Sequence, residues 1–261
     1  MAEPLPLFPL GHTVLFPGVV LPLHVFEERY RELVRSLVEL PEGSRRRFGV
    51  VAIRQGWEIG DDAVSALHDV GCAAELRRVS RYPDGRYDIV TVGTDRFRLR
   101  SVDRESRPYL VGSVEWLPAE PPLGPAEPPP GPAEPPQGPA GPPPGPAGQS
   151  GPAGPSGPAG AAGLADAVAT LFAEYVDAVA GLQGRPSEDT ELPDDPVQLA
   201  YAVAAAAVLT LEDRQALLEA ETTQARLRAE LRLLKRETTM VRRLRALPVP
   251  IGELQVSQSL S

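Results

Sequence analysis

One segment of the chain, residues 118–163, holds 18 of its 31 prolines and 11 of its 24 glycines. Proline has no backbone N–H to donate, and glycine loses more conformational entropy than any other residue when it is ordered, so a packed element is not expected there. From Gly145 the segment runs as six Gly-x-y triplets, as collagen does, but the period is broken between Gly141 and Gly145. We therefore predict a disordered Pro/Gly-rich linker, partly in the polyproline-II conformation.

This linker divides the chain into an N-terminal lobe, residues 1–117, and a C-terminal lobe, residues 164–261. Each lobe has roughly 100 residues, the size of a small domain with a modest core. The formal net charge is −9, with 16 basic and 17 acidic residues in the first lobe and 10 and 15 in the second. Since neither lobe carries an overall basic charge, nucleic acid is not the default partner.

The compartment is inferred from cysteine usage and from apolar runs. The single cysteine, Cys72, excludes an intramolecular disulfide and any CxxC site, which fits a reducing compartment, and we expect a buried, inert thiol. The N-terminus has no basic residues before an apolar run, so it does not resemble a signal peptide. The longest apolar run, Ala202–Leu209, is shorter than the roughly 18 residues of a membrane span. We expect a cytoplasmic protein with no membrane partner.

The N-terminal lobe combines short strand-like pieces with one helical pattern. Apolar residues recur at helical spacing from Phe26 to Val38, which predicts an amphipathic helix. Strand patterns occur at Phe48–Ile53 and at Arg96–Val102, and Tyr82–Gly85 has the residues of a turn between two further strands. Five to seven strands and a single early helix predict a barrel-like antiparallel sheet.

The C-terminal lobe has the pattern of four helices, which makes the predicted fold class α+β. The predicted helices are Leu164–Ala180, Pro196–Leu209, Leu211–Glu219 and Thr223–Leu247. Residues 164–221 carry 2 arginines against 12 acidic residues, whereas residues 222–245 carry 8 basic residues against 2 glutamates. Either these helices complement one another within the bundle, or the last one binds a partner or RNA.

The order and spacing of proline and aromatic residues near the N-terminus resemble the LON substrate-binding domain, the N-terminal domain of the ATP-dependent Lon protease. The stretches that carry this resemblance are Pro6–Leu10, Val14–Gly18, Leu21–Glu27, the Arg29-Tyr30 pair, and Leu211–Glu219 in the helical lobe. The resemblance implies a PUA-like antiparallel β pseudobarrel followed by an α-helical bundle. The Pro/Gly-rich linker between the lobes is the departure from that family.

The chemistry of a complete Lon protease leaves no trace in this sequence. A nucleotide-binding P-loop needs a Gly-Lys pair, and the chain has none. A peptidase dyad needs a lysine that activates serine, and the sole lysine, Lys235, lies in a predicted helix among leucines. The three histidines, His12, His24 and His68, do not have metal-ligand spacing. We therefore expect no enzyme activity, no cofactor and no metal.

A binding site, if there is one, is expected to be a groove beside an exposed sheet edge, where an extended peptide pairs with the backbone. The candidate groove residues are Phe8, Phe16, Leu21, His24 and Phe26. Simple core packing is the alternative for the apolar ones, and a role at the strand-to-helix junction is the alternative for His24.

The resemblance implies binding of unfolded polypeptide or of a partner protein such as a protease. A PUA-like RNA-binding protein is the alternative, supported by Arg45–Arg47 and by the arginines at positions 96, 98 and 100. The sequence leaves open whether the chain forms a homodimer.

Overall fold

The computed structural model describes residues 2–56, 64–120, 158–184 and 191–244. These residues form seven strands and five helices. The strands are β1 (Glu3–Leu10), β2 (Val20–Val25), β3 (Arg47–Gly56), β4 (Val64–Leu67), β5 (Val70–Arg81), β6 (Tyr87–Asp103) and β7 (Val111–Trp116). The helices are α1 (Glu28–Val38), α2 (Pro158–Gln183), α3 (Pro196–Ala206), α4 (Leu211–Glu219) and α5 (Thr223–Leu244). Most of the Pro/Gly-rich segment, residues 121–157, lies outside the described part, and so do residues 245–261.

Five strands close into a ring, which makes the sheet a pseudobarrel. The neighbours follow the order β1–β7–β6–β5–β3, and β3 returns to pair with β1. Every pairing is antiparallel except β1 with β3, which is parallel. The remaining strands attach outside the ring, β4 to β3 and β2 to β6. The predicted antiparallel barrel-like sheet is confirmed, and the single parallel pair is the closure that the sequence did not indicate.

The long strand β6 has one edge shared between two neighbours. Its first part, from Tyr87, pairs with β2, and its last part, from Phe97, pairs with β7. The change occurs at Gly93, whose N–H donates to the carbonyl of Val19 and whose carbonyl accepts from Gly18. The sequence suggested two separate strands here, whereas the structure has one, because glycine lets the neighbouring chain approach closely without breaking the strand.

The helices of the C-terminal lobe lie close to their predicted bounds. Asp195 caps α3 by accepting from the N–H of Gln198, and Thr210 caps α4 by accepting from the N–H of Asp213. Helix α2 begins at Pro158, six residues before its predicted start at Leu164. Helix α1 begins at Glu28, so Phe26 lies before it rather than on its apolar side.

One hydrophobic core joins the two lobes. The same cluster of buried side chains contains Phe16 and Phe48 from the β lobe and Phe172 and Leu234 from the helical lobe. The rings of Phe16 and Tyr201 lie 6.2 Å apart across the junction. A second, smaller cluster around Leu7 and Phe97 belongs to the β lobe alone. The two lobes therefore pack as one body despite the long segment between them.

Each of the five described helices is too short or too polar to span a membrane.

Candidate functional site

Strand β2 is an edge strand, because among the described residues it pairs only with β6. Its side chains alternate between the two sides of the sheet: Leu21 and Leu23 pack toward the core, whereas Val20, Pro22 and His24 are exposed. The neighbours of the exposed residues on β6 are Val92, Val90 and Asp88. We call these six residues, on β2 and β6, the open face.

The open face and its surroundings carry exposed apolar groups. Val20 is 59% exposed, Phe26 is 50% exposed and Tyr82 is 39% exposed. Phe26 follows β2 directly, and its ring centroid lies 6.3 Å from that of His24. Tyr82 reaches the same place from the β5–β6 turn, with its ring 6.2 Å from His24. Apolar side chains and a strand with a free edge thus occur together, which is what an extended polypeptide requires of a binding surface.

A polar cluster closes one end of the open face. His24 Nδ1 lies 2.6 Å from one carboxylate oxygen of Asp88, and the hydroxyl of Tyr82 donates to the other. The hydrogen bond from Tyr82, followed by that from His24, holds the pKa of Asp88 below its ordinary value, and the same carboxylate raises the pKa of Tyr82. Arg86 Nη1 lies 3.4 Å from His24 Nε2. These contacts fix the orientation of His24 and Tyr82 beside the apolar groups.

The structure separates the predicted groove residues into two groups. Phe8 is 7% exposed and stacks on Tyr30 with centroids 4.1 Å apart, and Phe16 is fully buried. The prediction that these two side chains line a groove is therefore corrected: they are core residues. Leu21 is half-buried and points toward the core. His24 and Phe26 are exposed and lie together at the open face.

Four residues of this site were not predicted from the sequence: Val20, Tyr82, Arg86 and Asp88. Alternation along β2 could have indicated Val20, because it shares a face with His24. The other three depend on the pairing of β2 with β6, which brings together residues as far as 64 positions apart. No short-range pattern carries that information.

The junction of the lobes contains a buried ion cluster centred on Glu120. One carboxylate oxygen of Glu120 lies 3.0 Å from Arg96 Nη2 and 2.8 Å from Arg226 Nη2 and accepts from the Tyr201 hydroxyl. Thr223 donates to the other oxygen. Burial acts to raise the pKa of Glu120, but the hydrogen bonds and charges of Arg226, Thr223 and Arg96 outweigh it and hold the pKa below its ordinary value. Glu120 was assigned to the linker, yet it is part of the folded body.

The arginines that suggested RNA binding are mostly engaged within the protein. Arg96 is 6% exposed and also donates to the carbonyls of Leu218 and Ala220. Arg100 pairs with Glu115. Arg47 pairs with Glu3 at 2.9 Å and lies over the ring of Trp116. The expected basic face at positions 96, 98 and 100 is therefore wrong for Arg96, because the helical lobe packs over it.

A cleft of about 140 Å³ lies beside this cluster, at the junction of the lobes. It is lined by Pro17, Asp95, Gln198, Tyr201 and Glu120, among others. Within the part of the chain that the structure describes, no group of three or more His, Cys, Asp or Glu side chains is placed to hold a metal ion. The sole cysteine is buried, and that burial raises the pKa of its thiol.

Comparison with known proteins gives one family. The family model of the ATP-dependent protease La (LON) substrate-binding domain matches residues 4–236. The Lon protease of Porphyromonas gingivalis is 33% identical over 118 residues, which cover 45% of this chain and 13% of that protein. Lon protease 2 of Herpetosiphon aurantiacus is 34% identical over 117 residues, covering 45% of this chain and 12% of that protein. The chain thus matches only a small part of these curated relatives.

The solved structures give the same fold. The crystal structure of a Lon N-terminal domain protein from Xanthomonas campestris superposes with a TM-score of 0.52 at 24% identity. The match covers 89% of this chain and 98% of that one. This similarity supports the architecture of a sheet followed by a helical bundle, and both lobes are included in it.

Proposed function

The chain belongs to the LON substrate-binding domain family, and from that membership we propose that it is a non-catalytic module that binds unfolded polypeptide or a partner protein. The observation that carries the proposal is the open face of β2 and β6. There, exposed Val20, Phe26 and Tyr82 lie beside an edge of β2 that pairs with no described strand. A partner such as a separate protease would make the module an adaptor that delivers clients for degradation.

The described residues at the open face form no catalytic arrangement, which supports a binding role. His24 and Asp88 form a hydrogen-bonded pair there, as in hydrolases that use a nucleophile. However, the groups in contact with this pair are the Tyr82 hydroxyl and the Arg86 guanidinium, and neither is an activated serine or cysteine. Cys72 is buried elsewhere. We therefore assign the His24–Asp88 pair the role of orienting the neighbouring aromatic side chains of Tyr82 and Phe26.

The proposal is tested by placing a charge on the open face. The probe is fluorescein-labelled lactalbumin that has been reduced and carboxymethylated so that it stays unfolded, and binding is followed by anisotropy. Val20→Asp should raise Kd by at least about tenfold, because the carboxylate must be desolvated against an apolar segment. Leu40→Asp is the matched control, since Leu40 is 37% exposed but follows the distant end of α1. Equal Kd values for both variants and the wild type would contradict the proposal.

An RNA-binding role is a second candidate, and helix α5 gives it specific support. Arg228, Arg232 and Lys235 are exposed at a spacing that places them on one face of the helix. The ion pairs that α5 makes with other described elements use Arg226, Arg236 and Arg242 instead. This candidate predicts that single-stranded RNA binds with an affinity that falls steeply with salt. The double substitution Arg232→Glu with Lys235→Glu should then abolish RNA binding and leave polypeptide binding unchanged.

A further inference from the structure

The backbone of β2 has a defined set of hydrogen-bonding groups that no described strand pairs with. The N–H of Gly93 donates to the carbonyl of Val19, so this carbonyl faces β6 just before β2 begins. Residues that face the partner strand alternate along an antiparallel pair, so Leu21 and Leu23 also direct their backbone groups toward β6. The side-chain hydroxyl of Thr91, which donates to the carbonyl of Leu21 at 2.9 Å, agrees with this direction.

The positions between these pairs direct their backbone groups away from β6. They are Val20, Pro22 and His24, which are also the exposed residues of β2. Their three carbonyls can accept hydrogen bonds at the free edge. Only Val20 and His24 can donate, because proline has no N–H. The free edge therefore offers three acceptors and two donors, with the missing donor at its centre.

We propose that β2 binds an extended polypeptide segment by strand addition, and that Pro22 keeps the same edge from pairing with a second copy of itself. This inference rests on the proposed function and adds the mode of binding and the backbone groups that carry it. An incoming segment has its own N–H groups and can donate to the carbonyls of Val20, Pro22 and His24. Its alternate side chains then lie next to Val20 and His24 on the open face.

Pairing of two copies of β2 meets a specific obstacle at Pro22. In a two-fold antiparallel pairing centred on this edge, Pro22 would face Pro22 of the other copy. At that pair both carbonyls would lack a donor, and the two hydrogen bonds at the centre of a six-residue strand would be lost. A polypeptide client loses less, because it lacks only the bond that Pro22 itself would donate. The sequence thus favours a foreign strand over self-association.

Two substitutions test the mode of binding with the same labelled unfolded lactalbumin. Val20→Pro removes the N–H of residue 20, which is directed away from β6 like the backbone of Pro22. The pairing of β2 with β6 does not use this N–H, so the sheet should stay intact. The substitution should weaken binding by about fivefold to tenfold more than Val20→Ala, which shortens the side chain and keeps the N–H. Circular dichroism and thermal unfolding check that both variants are folded.

Pro22→Val is expected to increase binding, so this test does not rely on a loss of binding that misfolding could also cause. The substitution restores the central donor, so it should tighten polypeptide binding several-fold and make the protein dimerise in a concentration-dependent way in sedimentation velocity. If the wild type binds but Val20→Pro equals Val20→Ala and Pro22→Val changes neither affinity nor mass, strand addition is overturned while polypeptide binding stands. If the wild type binds no polypeptide, and Pro22→Val also binds none, the proposed function fails as well.

Discussion

Glu120 and Arg226 form an ion pair 2.8 Å long that fastens the end of the β lobe to the first turn of α5. The Arg226 side chain is fully buried, and the Glu120 side chain is 11% exposed. Glu120 is the last described residue before positions 121–157, so this pair holds the C-terminal end of the described β lobe against the helical lobe. Packing of the two lobes therefore does not depend on a short connection.

Loss of this carboxylate should destabilise the protein strongly. In Glu120→Gln the guanidinium groups of Arg226 and Arg96 stay buried without a counter-charge, which costs about 3–5 kcal/mol in the free energy of unfolding. Urea denaturation followed by circular dichroism measures this change. Glu115→Gln is the control, because its ion pair with Arg100 is exposed and should contribute nothing measurable. Similar effects of the two substitutions would contradict the role of the cluster.

A second buried carboxyl, that of Glu230, should make stability fall as pH rises. Its side chain is 1% exposed, and no hydrogen-bond partner satisfies either oxygen among the described residues. Burial raises its pKa to about 9, so the folded state holds a proton that the unfolded chain releases above its ordinary value of 4.5. The stability that this proton provides is complete below pH 4.5 and is lost progressively as pH rises toward 9.

The substitution Glu230→Gln removes that dependence. At pH 7 the variant should be more stable than the wild type by up to about 3 kcal/mol, since each pH unit above the ordinary pKa costs about 1.4 kcal/mol. The difference should shrink to nothing near pH 4.5. Denaturant unfolding at a series of pH values measures it, and a constant difference at every pH would show that the proton on Glu230 is not the cause.

Two glycine-to-alanine substitutions should act in opposite directions. A Cβ on Gly93 would lie 2.1 Å from the carbonyl oxygen of Phe16, which is backbone that cannot turn away. We expect Gly93→Ala to destabilise by at least about 3 kcal/mol. Gly163 lies in α2 with nothing within 4 Å of its Cβ position, so Gly163→Ala should stabilise by about 0.5–1 kcal/mol. Thermal unfolding compares them, and a tolerated Gly93→Ala would contradict the close approach.

The thiol of Cys72 should be unreactive in the folded protein. The side chain is fully buried, so a reagent in solution cannot reach it. Burial also raises the pKa of the thiol, so the reactive thiolate does not form at neutral pH. At pH 8, Ellman's reagent should label no thiol in native protein and one thiol per chain in guanidinium chloride. Fast labelling of the native protein would contradict this placement.

Local patterns predicted much of the fold. The helical spacing that begins at Phe26, the Tyr82–Gly85 turn and the Leu211–Glu219 helix each depend on neighbours within a few positions, and their elements are confirmed. Closure of the ring through β1 and β3 could not be predicted, because parallel pairing joins distant segments with no turn between them.

In the candidate site, too, local patterns could be predicted from the sequence and long-range contacts could not. His24 and Phe26 were found because they lie in a stretch with a distinctive order of residues. Phe16 was assigned to the groove because the sequence near an edge strand looks the same whether its aromatic residue is exposed or buried beneath another lobe. The position of the helical lobe decides that question, and it covers both Phe16 and Arg96.

The most direct test of the account compares two ligands with the wild-type chain. Anisotropy is measured for labelled unfolded lactalbumin and for a labelled single-stranded RNA, each at low and at higher salt. Polypeptide binding by apolar contacts and backbone pairing predicts saturable binding of the lactalbumin that persists at the higher salt, and no comparable binding of the RNA. Absence of polypeptide binding, or a preference for RNA that falls steeply with salt, would contradict the central claim.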